Sequence, residues 1–323
     1  VTFLSERVWV LTDGRPGHIS QTLGLAERLT PLPVVKSLKL KAPYRQASPF
    51  LGWAGGRALT ADSTPVAPPW PDLIITSGRS AIPVAFGIRR AQGGRTRIVN
   101  VQDPGWFRSR FDMIVVPEHD DLTGANIITT AGALGRVTPL ILDGAAAKFA
   151  TALSPLPRPR VAVLIGGANA VYETPPDITL RIAQALKGIA AGGAGLMVTF
   201  SRRSGPEMER VVRAALAGTG AAIWDGTGDN PYFAYLALAD HILATEDSAS
   251  MISEAAATGR PISILPLAGG SPKFARFHAG MRARGVTRPF TGRIDAWNYV
   301  PLDETGRIAD AVRQLLRCGK GPL

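Results

Sequence analysis

Two short stretches of this chain set a histidine near a carboxylate, and a third sets hydroxyls and acids at the start of a helix. In DGRPGH, His18 follows Asp13 on one loop, and Asp120 directly follows His119. An imidazole titrates close to neutrality and an acid beside it can orient it, so either pair suits a general base that takes a proton from a hydroxyl. The duller reading is an exposed loop histidine at 18 and an Asp120 that merely begins a turn. The third stretch, ADHILATEDSASMISEAAATGRPISIL, runs from Ala239 to Leu265. It predicts a strand over Ile242–Thr245, caps at Asp247, Ser248 or Ser250, and a helix to about Thr258 closed by Gly259 and Pro261. A helix start leaves backbone N–H groups unpaired, which makes it a seat for phosphate, with Ser248, Ser250 and Met251 as candidate contacts. Glu246 and Asp247 would repel a diphosphate unless they point aside, cap the helix or bond sugar hydroxyls, which Glu254 could also reach. Read plainly, Asp247 and Ser248 are only caps and Glu254 is a solvated helix residue.

Parallel strands must bring these groups to one edge. Arg7–Thr12 reads as an apolar strand feeding DGRPGH and a helix over Ile19–Leu29. Strands at Val34–Leu40, Asp72–Thr76, Arg97–Val101, Phe111–Val116 and Asn126–Thr129 then deliver polar or Gly-rich loops to a rim, where open α/β sheets bind ligands. Arg15, Gly78, Arg79 and Asp103 lie on those loops as candidate binding residues. The irregular Ala42–Trp70 holds Phe50, Leu51 and Trp53 beside Arg45 and Arg57, a composition suited to a membrane face or to packing over the core.

LSPLPRPR, residues 153–160, reads as a linker between an N-terminal domain, 1–152, and a C-terminal domain, 161–323. Beyond it, Val161–Ile165 ends at Gly166 and Gly167, where missing side chains let a ligand approach the backbone. Gly195–Phe200 ends at Ser201-Arg202-Arg203-Ser204, two guanidinium groups suited to a diphosphate. Asn230-Pro231-Tyr232 opens a helix, and Lys273 after a Gly-rich loop could neutralise a phosphate.

With 323 residues, 46% hydrophobic and 19% charged, the composition is globular and long enough for two cores. No apolar run reaches the roughly 20 residues of a spanning helix, and VWVL begins a strand rather than a signal core. The single cysteine excludes an internal disulfide and a multi-cysteine metal site, and fits a cytoplasmic location. A net charge of +11 points to an anionic partner. No recognition helix, zinc-finger spacing or RNP-type strand favours nucleic acid, and the absence of G-x-G-x-x-G argues against a nicotinamide cofactor. No cofactor and no metal are expected.

Glu246, seven residues, Glu254 and then AAATGRPI resembles the acidic segment of nucleotide-sugar glycosyltransferases with the GT-B fold. That resemblance implies a ribose contact for Glu254, a helix start facing the diphosphate, and a base-binding region near Asn230 and Tyr232. VWVLTDGRPGHISQTLGLAERL, SGRSAIP, VQDP, FDMIVVPEHD, TAGALGRVTP, VLIGG, TFSRRS, NPYFAYLALAD and DSASMISEAAATGRPI together resemble the mitochondrial fission ELM1-like family. The family resemblance implies an α/β protein of two Rossmann-like domains facing across a cleft. The leading expectation is a metal-independent glycosyltransferase that takes a nucleotide-diphosphate sugar and a glycan or lipid acceptor. An epimerase without nicotinamide and an adaptor on an anionic membrane, peripheral on its inner face, are the alternatives.

Overall fold

A computed structural model describes residues 4, 7–48 and 55–318. Phe50, Leu51 and Trp53, read as suited to a membrane face or to packing over the core, lie outside the described residues. The chain divides into two compact units, one ending at Arg136 and resumed from Asp303, the other spanning Val137–Leu302.

The first unit opens with β1 (Val8–Thr12) and α1 (Pro16–Leu29), followed by β2 (Val34–Ser37) and the short α2 (Tyr44–Ala47). It continues through β3 (Leu73–Thr76), α3 (Ala81–Ala91), β4 (Arg97–Val101), β5 (Met113–Pro117) and β6 (Ile127–Thr130). Its six strands run in the order β2-β1-β3-β4-β5-β6, with every pair parallel. All five residues of β1 are buried, as an unbroken apolar run requires when both faces of a parallel sheet are covered. Leu25, Ala26 and Leu29 of α1 cover one face, packing with Val10, Leu73 and Ile75.

The second unit begins with α4 (Pro139–Leu153), β7 (Arg160–Ile165), β8 (Tyr172–Glu173), α5 (Pro176–Ala191) and β9 (Gly195–Phe200). Next come α6 (Gly205–Ala215), β10 (Ala222–Ile223), α7 (Tyr232–Leu238), β11 (His241–Thr245) and α8 (Ala249–Ala256). It closes with β12 (Ile262–Leu265), β13 (Ala268–Gly269), α9 (Pro272–Ala283) and β14 (Thr287–Pro289). Here the sheet order is β10-β9-β7-β11-β12-β14, again parallel, while β13 and β8 form a two-stranded antiparallel ribbon. The last helix, α10 (Glu304–Cys318), belongs to the first unit, where Ile308, Ala309 and Val312 pack with Leu25 and Leu29 of α1.

The break between units falls earlier than the proline-rich stretch at 153–160. α4 is already part of the second unit: Thr138 caps it by accepting from the Ile141 N–H, and Leu142, Ala145 and Phe149 pack on a core shared with Ala234 and Leu236 of α7. LSPLPRPR is therefore a turn that delivers α4 into β7, pinned by buried Leu156.

No helix among the described residues is long and apolar enough to cross a membrane.

Candidate functional site

In each sheet the chain changes direction once beside its first strand, between β1 and β3 in one unit and between β7 and β11 in the other. At such a switch point the loops after the two strands diverge and leave a crevice at their carboxyl ends.

The crevice of the first unit is open. A pocket of 390 Å³ is lined by Asp13, Arg15, His18, Gly78, Arg79 and Asp103, six of the residues singled out from the sequence, drawn from the loops after β1, β3 and β4. His18 Nδ1 lies 3.1 Å from Asp13 Oδ1, with both side chains 15% exposed. A carboxylate only accepts, so Nδ1 carries a proton, and the tautomer that goes with this bond has its lone pair on Nε2, as a general base needs. Asp13 is held by its own loop, because Oδ1 also accepts from the Arg15 N–H. Gly78 adopts φ +87°, and a Cβ there would stand 3.0 Å from Asp13 Oδ2 and 3.1 Å from His18 Nδ1. The pair is packed against bare backbone. Asp103 takes two bonds from the Arg108 guanidinium, at 2.7 Å each, and these hold its carboxyl below the usual range.

His119 and Asp120 do not join this pocket. They form a short 3-10 turn after β5, His119 is buried, and its Nε2 lies 3.7 Å from Asp120 Oδ1. The sequence reading missed Asn100 and Gln102, which do line the pocket. Asn100 Nδ2 donates to the Gln102 carbonyl at 2.7 Å, and Gln102 has φ +80°, a strained conformation for a residue with a side chain. Nothing in QDP marks that strain beforehand.

The crevice of the second unit is filled from within. Asp247 turns its carboxylate, 0% exposed, back toward the β7 loop. It accepts from the Gly167 N–H at 3.1 Å, the Thr245 hydroxyl at 2.6 Å and Arg203 Nη2 at 2.6 Å. Gly166 is required by that packing, since a Cβ there would lie 2.0 Å from Asp247 Oδ1. Of the binding residues expected here, Gly167 and Arg203 are bonded to Asp247, Gly166 donates to the Thr245 hydroxyl, and Arg202 is exposed. The Asp247 side chain is thus buried in an internal network, pointing aside from the helix start.

Ser248 caps α8 by accepting from the Met251 N–H, leaving Ser250 and Met251 partly exposed in its first turn. The Tyr232 hydroxyl donates to Glu254 Oε2 at 2.8 Å, and burial together with that carboxylate raises the tyrosine pKa well above its usual value. Asn230 Oδ1 accepts from the Tyr232 N–H at 2.9 Å, so three residues expected near a nucleoside form one chain of contacts. Lys273 is exposed in the first turn of α9.

The family model for mitochondrial fission ELM1 matches residues 16–316. The chain belongs to the mitochondrial fission ELM1 family. The mitochondrial fission protein ELM1 of Arabidopsis thaliana is 30% identical over 273 residues, 76% of this chain. The match spans 64% of the plant protein's length. An uncharacterized protein of Rickettsia prowazekii is 27% identical over 355 residues, covering 97% of this chain and 99% of its own. Among solved structures, the UDP-GlcNAc 2-epimerase of Methanocaldococcus jannaschii superposes with a TM-score of 0.54 at 10% identity, over 97% of this chain and 100% of that one. This chain thus has two Rossmann-like units, as in the GT-B fold.

Proposed function

We propose that this protein binds a nucleotide-diphosphate sugar and transfers the glycosyl group to a hydroxyl. The observation that carries the reading is the Asp13–His18 pair, 3.1 Å apart in a polar pocket at the first sheet's switch point. His18 takes the proton of the acceptor hydroxyl on Nε2 as the glycosyl bond forms, and Asp13 stabilises the resulting imidazolium. The second unit takes the nucleotide. Glu254 accepts from ribose hydroxyls beside Tyr232, and the diphosphate is met by the N–H groups at the start of α8 with Ser248 and Ser250. Arg202 and Lys273 supply positive charge without a resident metal. A peripheral membrane location is part of the proposal, supported by Trp106, which is 92% exposed in the Gly105–Arg110 turn just past the pocket-lining Pro104.

Thermal shift against a panel of nucleotide sugars tests binding, since a ligand at 100 times its Kd adds about 2.7 kcal/mol. Glu254→Gln is expected to weaken the donor. Nucleotide release in the presence of acceptor tests transfer, and His18→Ala is expected to slow it by about 10²–10⁴-fold with the donor's thermal shift unchanged. A donor converted to its epimer with no acceptor present replaces transfer by epimerisation, and a panel without any shift removes the nucleotide from the account.

A further inference from the structure

Beside α9 the second unit encloses a cavity of 590 Å³ that none of the roles above uses. One wall is a face of α9, where Ala275, His278 and Arg282 follow one another at helical spacing. The opposite wall is Ile264 of β12 and the strand β14 with Phe290 after it. Tyr172, Gly269 and Gly270 of the β8–β13 ribbon close a third side. Gly269 fits only as glycine, with φ +99° and a Cβ that would meet the Val171 carbonyl at 2.3 Å. The volume is that of a small-molecule site.

The lining groups define the chemistry of an occupant. Arg282 and Arg288 are both exposed, and the Arg288 guanidinium lies 4.4 Å from the centre of the Trp297 ring. Two guanidinium groups suit a carboxylate or a phosphate, each of which accepts paired N–H bonds. Other groups suit hydroxyls. Glu246 accepts from the Leu267 N–H at 2.8 Å through one carboxylate oxygen, and the second oxygen is a further acceptor. His278 Nε2 lies 2.9 Å from the Glu246 carbonyl, which only accepts, so Nε2 carries the hydrogen and Nδ1 is an acceptor. His278 is 5% exposed, and this bond fixes its ring in the cavity wall. Ile264, Pro289 and Phe290 add an apolar surface on which a sugar ring can lie.

We propose that this cavity binds a sugar carrying an acidic group, with Arg282 and Arg288 on the anion and Glu246 on the ring hydroxyls. The site stands apart from the glycosyl-transfer reading, because its probes need no nucleotide.

Isothermal titration of the full chain with glucuronate, glucose 6-phosphate, glucose and inorganic phosphate tests it, with the melting temperature of every variant recorded. Glucuronate or glucose 6-phosphate is expected to bind at least tenfold more tightly than glucose, and their ratio names the anion. Arg282→Ala and Arg288→Ala should each weaken the acidic sugars tenfold or more without changing the melting temperature, since both side chains are exposed. Glu246→Gln should weaken glucose 6-phosphate more than inorganic phosphate. The proposal is overturned if no acidic sugar binds or if glucose binds equally well. It is equally overturned if inorganic phosphate matches glucose 6-phosphate, or if both arginine variants bind as the wild type does. Loss of nucleotide-sugar binding with acidic-sugar binding intact overturns the transfer reading alone.

Discussion

The two sheets turn at equivalent places and furnish the resulting crevices in opposite ways. After β1, Asp13 reaches sideways to His18 on its own helix and leaves a pocket beside it. After β11, Asp247 reaches back and takes the Gly167 N–H, the Thr245 hydroxyl and the Arg203 guanidinium for itself. Those are the donors an incoming phosphate would use. One topology therefore leaves the loop beyond the first strand open or bonds it shut according to where a single acid points. In the second unit the donors left to a diphosphate are those at the start of α8. An acid paired along its loop leaves space, whereas an acid paired across the sheet removes it and ties two strands together instead.

The comparison is sharpest when both acids are removed. Asp247→Ala strips three donors of their acceptor in a place water does not reach, and is expected to lower stability by about 3–5 kcal/mol. Arg203 is 47% exposed and can turn to solvent, which favours the lower end of that range. Asp13→Ala, in an open pocket, should lower stability by about 1 kcal/mol or less while slowing turnover strongly. Chemical denaturation of the two variants decides it, and equal losses would end the distinction between the open loop and the bonded one.

Two buried histidines of the second unit add a pH dependence. His241 and His278 of the second unit are buried, and burial lowers the pKa of both, His241 from 6.5 to about 4. His241 Nε2 lies 3.0 Å from the Ser263 hydroxyl, and its ring stands edge-on to Trp297. Above pH 6.5 the imidazole is neutral whether the chain is folded or not, so it carries no pH dependence there. As the pH falls from 6.5 to about 4 the unfolded chain takes up a proton that the folded one refuses, and stability drops by up to about 3 kcal/mol. His241→Gln should flatten that slope even where it lowers stability overall. An unchanged slope between pH 6.5 and 4 would assign the acid sensitivity to other groups.

Much of this was legible in the residues, and what was not has physical reasons. The segments VWVL, LII and ILA are apolar at every position and each runs into a buried Thr, which is how buried parallel strands read, and the loops after them could be placed at one edge. α4 escaped notice because PLILDGAAAKFATAL has no sharp polar face and lies against three prolines that read as a linker. β8, β13 and β14 are two or three residues long, too short for any periodicity to register. At the site, Asp13 and His18 could be paired because they share one loop. Asp247 could not be assigned to its network, since its partners Gly167 and Arg203 are distant in sequence and only the sheet order brings them to it. The cavity beside α9 was invisible for the same reason: it is assembled from β8, β12, α9 and β14 together.

The smallest effect separates geometry from strain within the open crevice. Gly78 and Gly93 both adopt a positive φ, +87° and +64°, so alanine at either should lower stability by about 1 kcal/mol. Their surroundings differ. A Cβ at Gly93 would meet nothing within 4 Å, whereas one at Gly78 would press on Asp13 Oδ2 at 3.0 Å and His18 Nδ1 at 3.1 Å. Gly78→Ala is therefore expected to slow turnover by tenfold or more, beyond anything its stability loss explains, because a displaced base loses catalytic alignment steeply. Gly93→Ala should leave turnover unchanged at the same small loss of stability. Parallel rate and melting measurements on the two variants decide between a pair held in working geometry by bare backbone and one that merely happens to lie beside it.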